Sequence, residues 1–300
     1  MMDKFRSYSR LAFMILSLLV LYALFQALFT KLVFSAYSFL HPGISAEQFV
    51  AGGDAGLQNG TYYMLVSVAL LLSAIAMLLV LHLTGAFRFR KGMFTSIAAR
   101  PLFLSVLLVF TSIWALNIFV QWFPLEDMLE SQFEGLSHDI LGAISISVMA
   151  PLLEETLFRG AILGALLRRT GNPWHAIIIS ALIFGIFHMN PIQVVYATLL
   201  GIVLGWIYYR TGNLLSVIVG HVLNNTIATL TMLFSSSAAD VAASASGVAY
   251  DSAPVIRFVI FLALSIFLAV KLHRSLPAVP APWHESDRSS DNDSSGITLL

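Results

Sequence analysis

The stretch that decides the fold is ILGAISISVMAPLLEETLFRGAILGALL, which runs from Ile140 to Leu167. A transmembrane helix needs roughly 20 predominantly apolar residues to span about 30 Å of hydrocarbon, and this stretch is long enough and apolar enough. It nevertheless carries three ionisable side chains, those of Glu154, Glu155 and Arg159. Because such groups cost about 2.5–3.5 kcal/mol each at the centre of a membrane helix, each one needs a partner or a use. The stretch therefore predicts a membrane-spanning helix that carries a polar site.

Two of these three charges are spaced as an ion pair. At 100° per residue, Glu155 and Arg159 lie one turn apart on nearly the same helix face, with the carboxylate N-terminal to the cation. Glu154 points elsewhere and has no partner on its own helix. An unpaired carboxylate in a membrane is either protonated or faces a wet cavity, and both conditions suit a general base. The alternative, in which all three charges only fix helix packing, stays open and is stronger for the pair than for Glu154.

The chain as a whole has the composition of a membrane protein. Of its 300 residues 58% are hydrophobic and 11% are charged, and the formal net charge is zero, whereas about a quarter of the residues of a soluble domain are charged. It has no cysteine, which excludes disulfides, thiolate nucleophiles and iron–sulfur ligation. We predict an all-α, polytopic integral membrane bundle of about eight helices. The candidate spans are residues 11–30, 61–84, 102–123, 140–167, 174–189, 192–209, 214–234 and 255–272.

The distribution of Lys and Arg predicts the orientation, because these residues concentrate on the cytoplasmic side of a membrane. Loops 41–60 and 124–139 contain neither residue type, so they are predicted to lie outside. We expect a location in the cell membrane with both termini in the cytoplasm. The predicted parts of the chain are three N-terminal spans in 1–139, a catalytic four-helix core in 140–234, an outer loop and last span in 235–276, and a disordered cytoplasmic tail in 277–300.

Two histidines and an amide lie in predicted spans at a depth similar to that of Glu154. At 1.5 Å per residue, Glu154 and His188 are each about 20 Å from the cytoplasmic side. His221 lies in the seventh span, and Asn225 follows one turn later on the same face. A lone intramembrane histidine is usually a hydrogen-bonding group between helices. Polar groups on three helices at comparable depth instead predict an active site.

Three motifs occur in order along the chain: Glu154-Glu155-Thr156-Leu157-Phe158-Arg159, which reads EExxxR; Phe184-Gly185-Ile186-Phe187-His188, which reads FxxxH; and His221-Val222-Leu223-Asn224-Asn225, which reads HxxxN. This set resembles the CPBP family of intramembrane endopeptidases. That family includes the CAAX prenyl-protein endopeptidases and bacterial relatives linked to bacteriocin processing and self-immunity. The resemblance covers residues 148–229, about a quarter of the chain.

The resemblance implies a role for each motif residue. It implies that Glu154 is the base that activates water and that His188 lies beside it. It implies that His221 and Asn225 hold the same water or stabilise the oxyanion. It implies support from Glu155, Arg159 and Phe184. Family members are described both as metalloproteases and as glutamate-dependent proteases. The sequence permits either: a metal-free set that activates water, or Zn²⁺ held by Glu154, His188 and His221 with water in the open position.

Two other functions compete with proteolysis. A secondary transporter or proton-coupled carrier also uses buried Glu, Arg and His, but it should show paired discontinuous helices in two halves. Here the polar groups lie only between Glu154 and Asn225. A non-cleaving membrane scaffold would not need an intact motif set. The expected partners are membrane lipid and a peptide or membrane-protein substrate, not nucleic acid, and the absence of a prenyl-recognition motif leaves a CAAX substrate unsupported.

Overall fold

The described residues form a helical bundle, as predicted. The computed structural model describes residues 2–41, 59–87, 97–242 and 253–276, and it contains no β-strand in these ranges. The helices are α1 Met2–Leu40, α2 Asn59–Leu83, α3 Ala99–Val120, α4 Glu130–Ser137, α5 Ile140–Leu167, α6 Pro173–Phe187, α7 Pro191–Thr211, α8 Leu214–Ala242 and α9 Ala253–Ser275. Among the described helices, seven are long and apolar enough to cross a membrane. The polytopic membrane bundle is therefore confirmed.

The helix of the fifth predicted span, α6, is shorter than a membrane is thick. It has 15 residues, or about 22 Å at 1.5 Å per residue. It begins sharply because the Asn172 side chain accepts a hydrogen bond from the Trp174 N–H, and Pro173 occupies the first turn. It ends before Asn190, because a residue that precedes a proline disfavours helical backbone. The turn after α6 therefore lies within the predicted thickness of the bilayer.

Two helices are longer than the apolar pattern predicts. α1 has 39 residues, because no Gly or Pro interrupts residues 2–40 and the polar residues before the apolar run do not break a helix. α8 continues to Ala242, so the first part of the expected outer loop 235–253 is helical. Alanine, the best helix former, is frequent there. The rest of that loop up to residue 252 and the expected tail 277–300 lie outside the described residues.

α5 is not a uniform α-helix. Residues Ser145–Met149 and Glu155–Leu163 are wound as π-helix, with an α-helical turn, Ala150–Glu154, between them. All nine residues of Glu155–Leu163 are buried. Segments of π-helix are rare and are frequent at functional sites, since they change the direction in which side chains project. Glu154 and Glu155 lie at the junction between the α turn and the second π segment.

Close helix contacts hold α6 and α7 against each other and against α5. A Cβ added to Gly201 would lie 3.2 Å from the Cβ of Ala181, and one added to Gly205 would lie 3.2 Å from Ile177. Gly205 of α7 also faces Leu163 of α5. Small residues at these points allow the helix backbones to approach closely. The three helices that carry Glu154, His188 and the α7 glycines are therefore packed side by side.

Candidate active site

The predicted ion pair on α5 forms and is fully enclosed. Nη1 of Arg159 donates to Oε1 of Glu155 at 2.8 Å, and the two side chains are 1% and 0% exposed. Nη2 of Arg159 donates to the backbone oxygen of Gly201 at 3.4 Å. The guanidinium also lies over the ring of Phe184, 4.3 Å from its centroid, an arrangement in which the ring face attracts the cation. The pair therefore joins α5 to α6 and α7.

His221 lies between the two carboxylates of α5. Its Nδ1 is 2.7 Å from Oε1 of Glu155, and its Nε2 is 3.7 Å from Oε2 of Glu154. An ionised carboxylate only accepts hydrogen bonds, so Nδ1 is the donor towards Glu155. Glu154 does not stand apart as its helical angle predicts, because the imidazole comes from another helix and contacts both residues. The two carboxylates differ instead in exposure: the side chain of Glu154 is 16% exposed and that of Glu155 is enclosed.

Phe184 is the aromatic centre of the cluster. Its ring meets the rings of His188 and His221 edge-on, at centroid distances of 4.8 and 5.8 Å. Together with the contact to Arg159, these rings place the FxxxH motif against the other two motifs. Phe184 is itself buried. It therefore acts as a rigid spacer between the charged pair and the histidines.

His188 contacts the cluster by way of the backbone and ring of Phe184. Its Nδ1 lies 2.8 Å from the backbone oxygen of Phe184, and because a carbonyl only accepts, Nδ1 carries the proton. Nε2 of a neutral ring is then left as an acceptor. In the described part of the chain His188 makes no hydrogen bond to Glu154, and the expectation that the two act side by side stays a prediction. Its position next to the α6–α7 turn is set by Asn190, which is buried, donates to Oδ1 of Asp127 at 2.7 Å and accepts from the Met128 N–H at 3.1 Å.

Asn225 is bound to the helix backbone of α5. Its Nδ2 donates to the backbone oxygen of Ile146, which lies in the first π segment, at 2.8 Å. Its Oδ1 accepts from Asn224 at 2.9 Å, and Oδ1 of Asn224 accepts from the hydroxyl of Tyr196 at 2.6 Å. Sequence reasoning missed Asn224 and Tyr196, for which the one available signal was the doubled asparagine in an apolar span. Asn225 therefore holds α8 against α5.

The residues proposed as zinc ligands do not converge. No group of three His, Cys, Asp or Glu side chains in the described ranges is placed to hold a metal ion. His221 and Glu154 face each other, and His188 uses its Nδ1 for the backbone oxygen of Phe184. The donor set in this arrangement does not fit a three-ligand zinc site.

One more residue near the cluster escaped the sequence analysis. Tyr22 of α1 is buried and takes part in the aromatic packing around the cluster. Its ring stacks on that of Phe187, the residue before His188, at 5.3 Å. A single tyrosine in an apolar span gives no sequence signal for such a role. The described site thus draws side chains from α1, α5, α6 and α8.

Comparisons with known proteins point to the same family as the three motifs. Residues 136–227 match the family described as type II CAAX prenyl endopeptidase Rce1-like. A 100-residue segment is 33% identical to the Bacillus subtilis (strain 168) protein named "Putative membrane peptidase YdiL". This segment is 32% of the chain and spans less than half, 41%, of that relative. No solved structure matches the chain significantly. The matches confirm the resemblance to the CPBP family, and the protein is an integral membrane protein.

Proposed function

We propose that the protein is an intramembrane endopeptidase in which Glu154 activates a water molecule. The observation that supports this most directly is the position of His221 between a buried and a partly exposed carboxylate, 2.7 Å from Glu155 and 3.7 Å from Glu154. Glu155 is committed to Arg159 and His221, whereas Glu154 is the carboxylate that substrate and water can reach. Separating a structural from a chemical carboxylate by environment is a common way to build a catalytic site.

The proposed reaction is the addition of water to the peptide carbonyl, with Glu154 as the base. Glu154 removes a proton from water while the water oxygen forms a bond to the carbonyl carbon of the peptide, and the carbonyl electron pair moves onto its oxygen. When the intermediate collapses, the C–N bond breaks and the proton on Glu154 passes to the amine nitrogen. Nε2 of His221 lies where it can hydrogen-bond the same water. Glu155 holds the imidazole by Nδ1 and so fixes its orientation.

We propose no step through a metal ion, because the described side chains do not present a three-ligand set. The substrate is proposed to be a peptide or membrane protein that enters from the lipid, in the cell membrane and with both termini of the enzyme in the cytoplasm. Nucleic acid has no part in this function, since the chain has no basic run.

The test is a comparison of membrane proteomes from cells that carry wild-type protein, Glu154→Gln or Glu134→Gln. Glutamine keeps the volume and hydrogen bonding of Glu154 but cannot take the proton. New peptide termini present with the wild type should fall by roughly 10² or more in Glu154→Gln, because general bases contribute about 10² to 10⁴. Glu134 is exposed on α4, so its variant should behave as wild type. Undiminished cleavage by Glu154→Gln at equal protein abundance would refute the proposal.

A further inference from the structure

A chain of side-chain hydrogen bonds runs from α7 to the amide of Asn225 on α8. The hydroxyl of Tyr196 donates to Oδ1 of Asn224 at 2.6 Å. Nδ2 of Asn224 donates to Oδ1 of Asn225 at 2.9 Å, and Nδ2 of Asn225 donates to the backbone oxygen of Ile146 at 2.8 Å. Each donor faces an acceptor, so the chain of hydrogen bonds has one direction, from Tyr196 to α5.

The two ends of this chain fix the orientation of both amides. A primary amide that turns by 180° exchanges its acceptor oxygen for its donor nitrogen. The backbone oxygen of Ile146 only accepts, so Asn225 must present its nitrogen there. The hydroxyl of Tyr196 donates at the other end, so Asn224 presents its oxygen to α7 and its nitrogen to Asn225. Without that hydroxyl, Asn224 is released and no longer holds the amide plane of Asn225.

The fixed orientation leaves one N–H of Asn225 available. An amide nitrogen carries two hydrogens, and among the described residues Nδ2 of Asn225 donates to Ile146 alone. Asn225 lies one turn after His221 on the same face of α8. Its side chain is partly exposed, as is that of Glu154. The second N–H is therefore a donor on the helix face that carries His221.

The charged donors of the cluster are already engaged. Nδ1 of His221 donates to Glu155, and the guanidinium of Arg159 donates to Glu155 and to the backbone of Gly201. An oxyanion in a low-dielectric site needs a donor aimed at the oxygen where charge develops. Asn225 can supply one through its second N–H and keep its bond to α5.

We propose that Tyr196 is a positioning residue for the reaction described above. It acts through Asn224 and holds Asn225 in the orientation in which the second N–H donates to the oxygen that becomes negative when water adds to the peptide carbonyl. Tyr196 does not touch the substrate, and no proton moves along the chain of hydrogen bonds. An amide held in this way costs no reorganisation when charge develops. The inference rests on the proposed endopeptidase function.

The experiment uses full-length protein in detergent and a synthetic peptide that covers a terminus whose formation requires Glu154. Tyr196→Phe removes only the hydroxyl, so kcat should fall by about 10-fold to 10²-fold, the usual effect of losing a group that orients an active-site residue. KM should remain near that of wild type. Asn225→Ala removes the donor itself, and its kcat should fall further, by about 10² to 10³.

Thr229→Val is the matched control for loosened packing. The hydroxyl of Thr229 is hydrogen-bonded to that of Ser147 at 2.8 Å, in a buried contact between the same helices, α8 and α5. Its loss should lower the thermal midpoint, because a buried hydrogen bond between the helices is removed. It should leave kcat near that of wild type, since the amide of Asn225 keeps all its partners.

A double-mutant cycle on kcat separates positioning from structural support. If Tyr196 acts only through Asn225, Tyr196→Phe should lower kcat no further in the Asn225→Ala background. Asn224→Ala breaks the same chain of hydrogen bonds in its middle, so it should reproduce the loss and the same lack of additivity, also where Tyr196→Phe does not fold. An equal factor of loss with and without Asn225 would overturn the inference.

The two proposals fail in different ways. If wild type and Glu154→Gln give the same termini, the endopeptidase function fails and the role of Tyr196 fails with it. If Glu154→Gln is inactive and either Tyr196→Phe or Asn225→Ala cleaves the peptide at the wild-type rate, the function stands and the role of Tyr196 is refuted.

Discussion

At the scale of single residues, one carboxylate oxygen connects two charged partners. Oε1 of Glu155 accepts from Nη1 of Arg159 at 2.8 Å and from Nδ1 of His221 at 2.7 Å. Oε2 of the same carboxylate is buried and has no hydrogen-bond partner among the described residues. Such a group is stable only while its partners compensate the lost hydration. Glu155 should therefore be the most sensitive structural residue of the cluster.

This sensitivity predicts coupling between Glu155 and Arg159. Arg159→Met leaves a buried carboxylate without its cation, so the free energy of unfolding should fall by about 3–5 kcal/mol, the usual cost of breaking a buried pair. Glu155→Gln should also lower it. The double variant should recover part of the loss, because neither charge is then left alone. Thermal unfolding of detergent-extracted protein in a double-mutant cycle measures this coupling.

Glu154 supplies the matched comparison for that cycle. In the described part of the chain it makes no hydrogen bond to the guanidinium of Arg159, whereas Glu155 does. Arg159→Met combined with Glu154→Gln should consequently show little recovery. A coupling energy as large for Glu154 as for Glu155 would show that the division into a structural and a chemical carboxylate is wrong.

The spacing of the charged residues was enough to predict the ion pair but not the rest of the site. Glu155 and Arg159 are four residues apart on one helix, so local geometry brings them together. The contact of His221 with both carboxylates depends on how α8 lies against α5, which no local pattern encodes. Tyr22 and Asn190 contact residues more than 60 positions away, and their own neighbours in sequence are ordinary. The roles assigned to Glu154, His188, His221 and Asn225 stay predictions.

At the scale of helices, the contact between α6 and α7 determines where His188 lies. A Cβ added to Gly185 would meet the side chain of Thr198 and would lie 2.6 Å from the backbone oxygen of Val194. A backbone atom cannot move away by changing rotamer, so a methyl group here must push the two helices apart. Gly185 is three residues before His188, and any such shift is passed to the histidine.

Gly185→Ala should therefore lower both the thermal midpoint and the proteolytic rate. The free energy of unfolding should fall by about 1–3 kcal/mol, as is typical for overpacking. The control is Gly164→Ala on α5, where the nearest atom to an added Cβ is the flexible side-chain end of Arg168 at 3.4 Å. That variant should be neutral or slightly stabilised, since alanine favours helix by about 1 kcal/mol over glycine. Equal thermal midpoints for the two variants would contradict the close approach of α6 and α7.

At the scale of the whole molecule, hydrogen bonds show which helix ends share a side. The hydroxyl of Tyr8 donates to the backbone oxygen of Arg169 at 3.1 Å, so the start of α1 and the end of α5 lie together. Nη2 of Arg210 donates to the backbone oxygen of His273 at 3.3 Å, which joins the ends of α7 and α9. The charge pattern predicts that all four ends lie in the cytoplasm, and the two contacts are consistent with that prediction.

Reporter fusions should give the orientation directly. Fusions after Gly171 and after Leu276 should report the cytoplasm, and fusions near Asp54 and Glu134 should report the outside, because Lys and Arg are retained on the cytoplasmic side. Asp54 lies outside the described residues, so its expected side rests on the charge pattern alone. A cytoplasmic signal at Glu134 would reverse the orientation and open the proposed site to the opposite compartment.

The number and position of the membrane spans were more predictable than the exact helix ends and winding. Hydropathy alone locates the spans, whereas capping residues and prolines decide where each helix begins and ends. The start of α6 could be predicted from Asn172 and Pro173, and the helix boundary agrees within one residue. The end of α1 follows from Pro42, which disfavours helical backbone at the preceding residue. The winding of α5 as π-helix could not be foreseen, since neither hydropathy nor residue spacing gives a signal for it.

The π segment Glu155–Leu163 has a consequence for insertions and deletions. A π turn, closed by i→i+5 hydrogen bonds, holds one residue more than the α turn it replaces. Deleting one residue from this segment, such as Ala161, could restore regular α winding and leave the far end of α5 in register with its neighbours. The same deletion in the regular helix α7 would rotate all later side chains by 100°. A shortened chain should then fold into the same bundle while the buried side chains of this segment change their direction relative to the neighbouring helices, which makes this segment a place where chain length can change without loss of the fold but at the expense of the site.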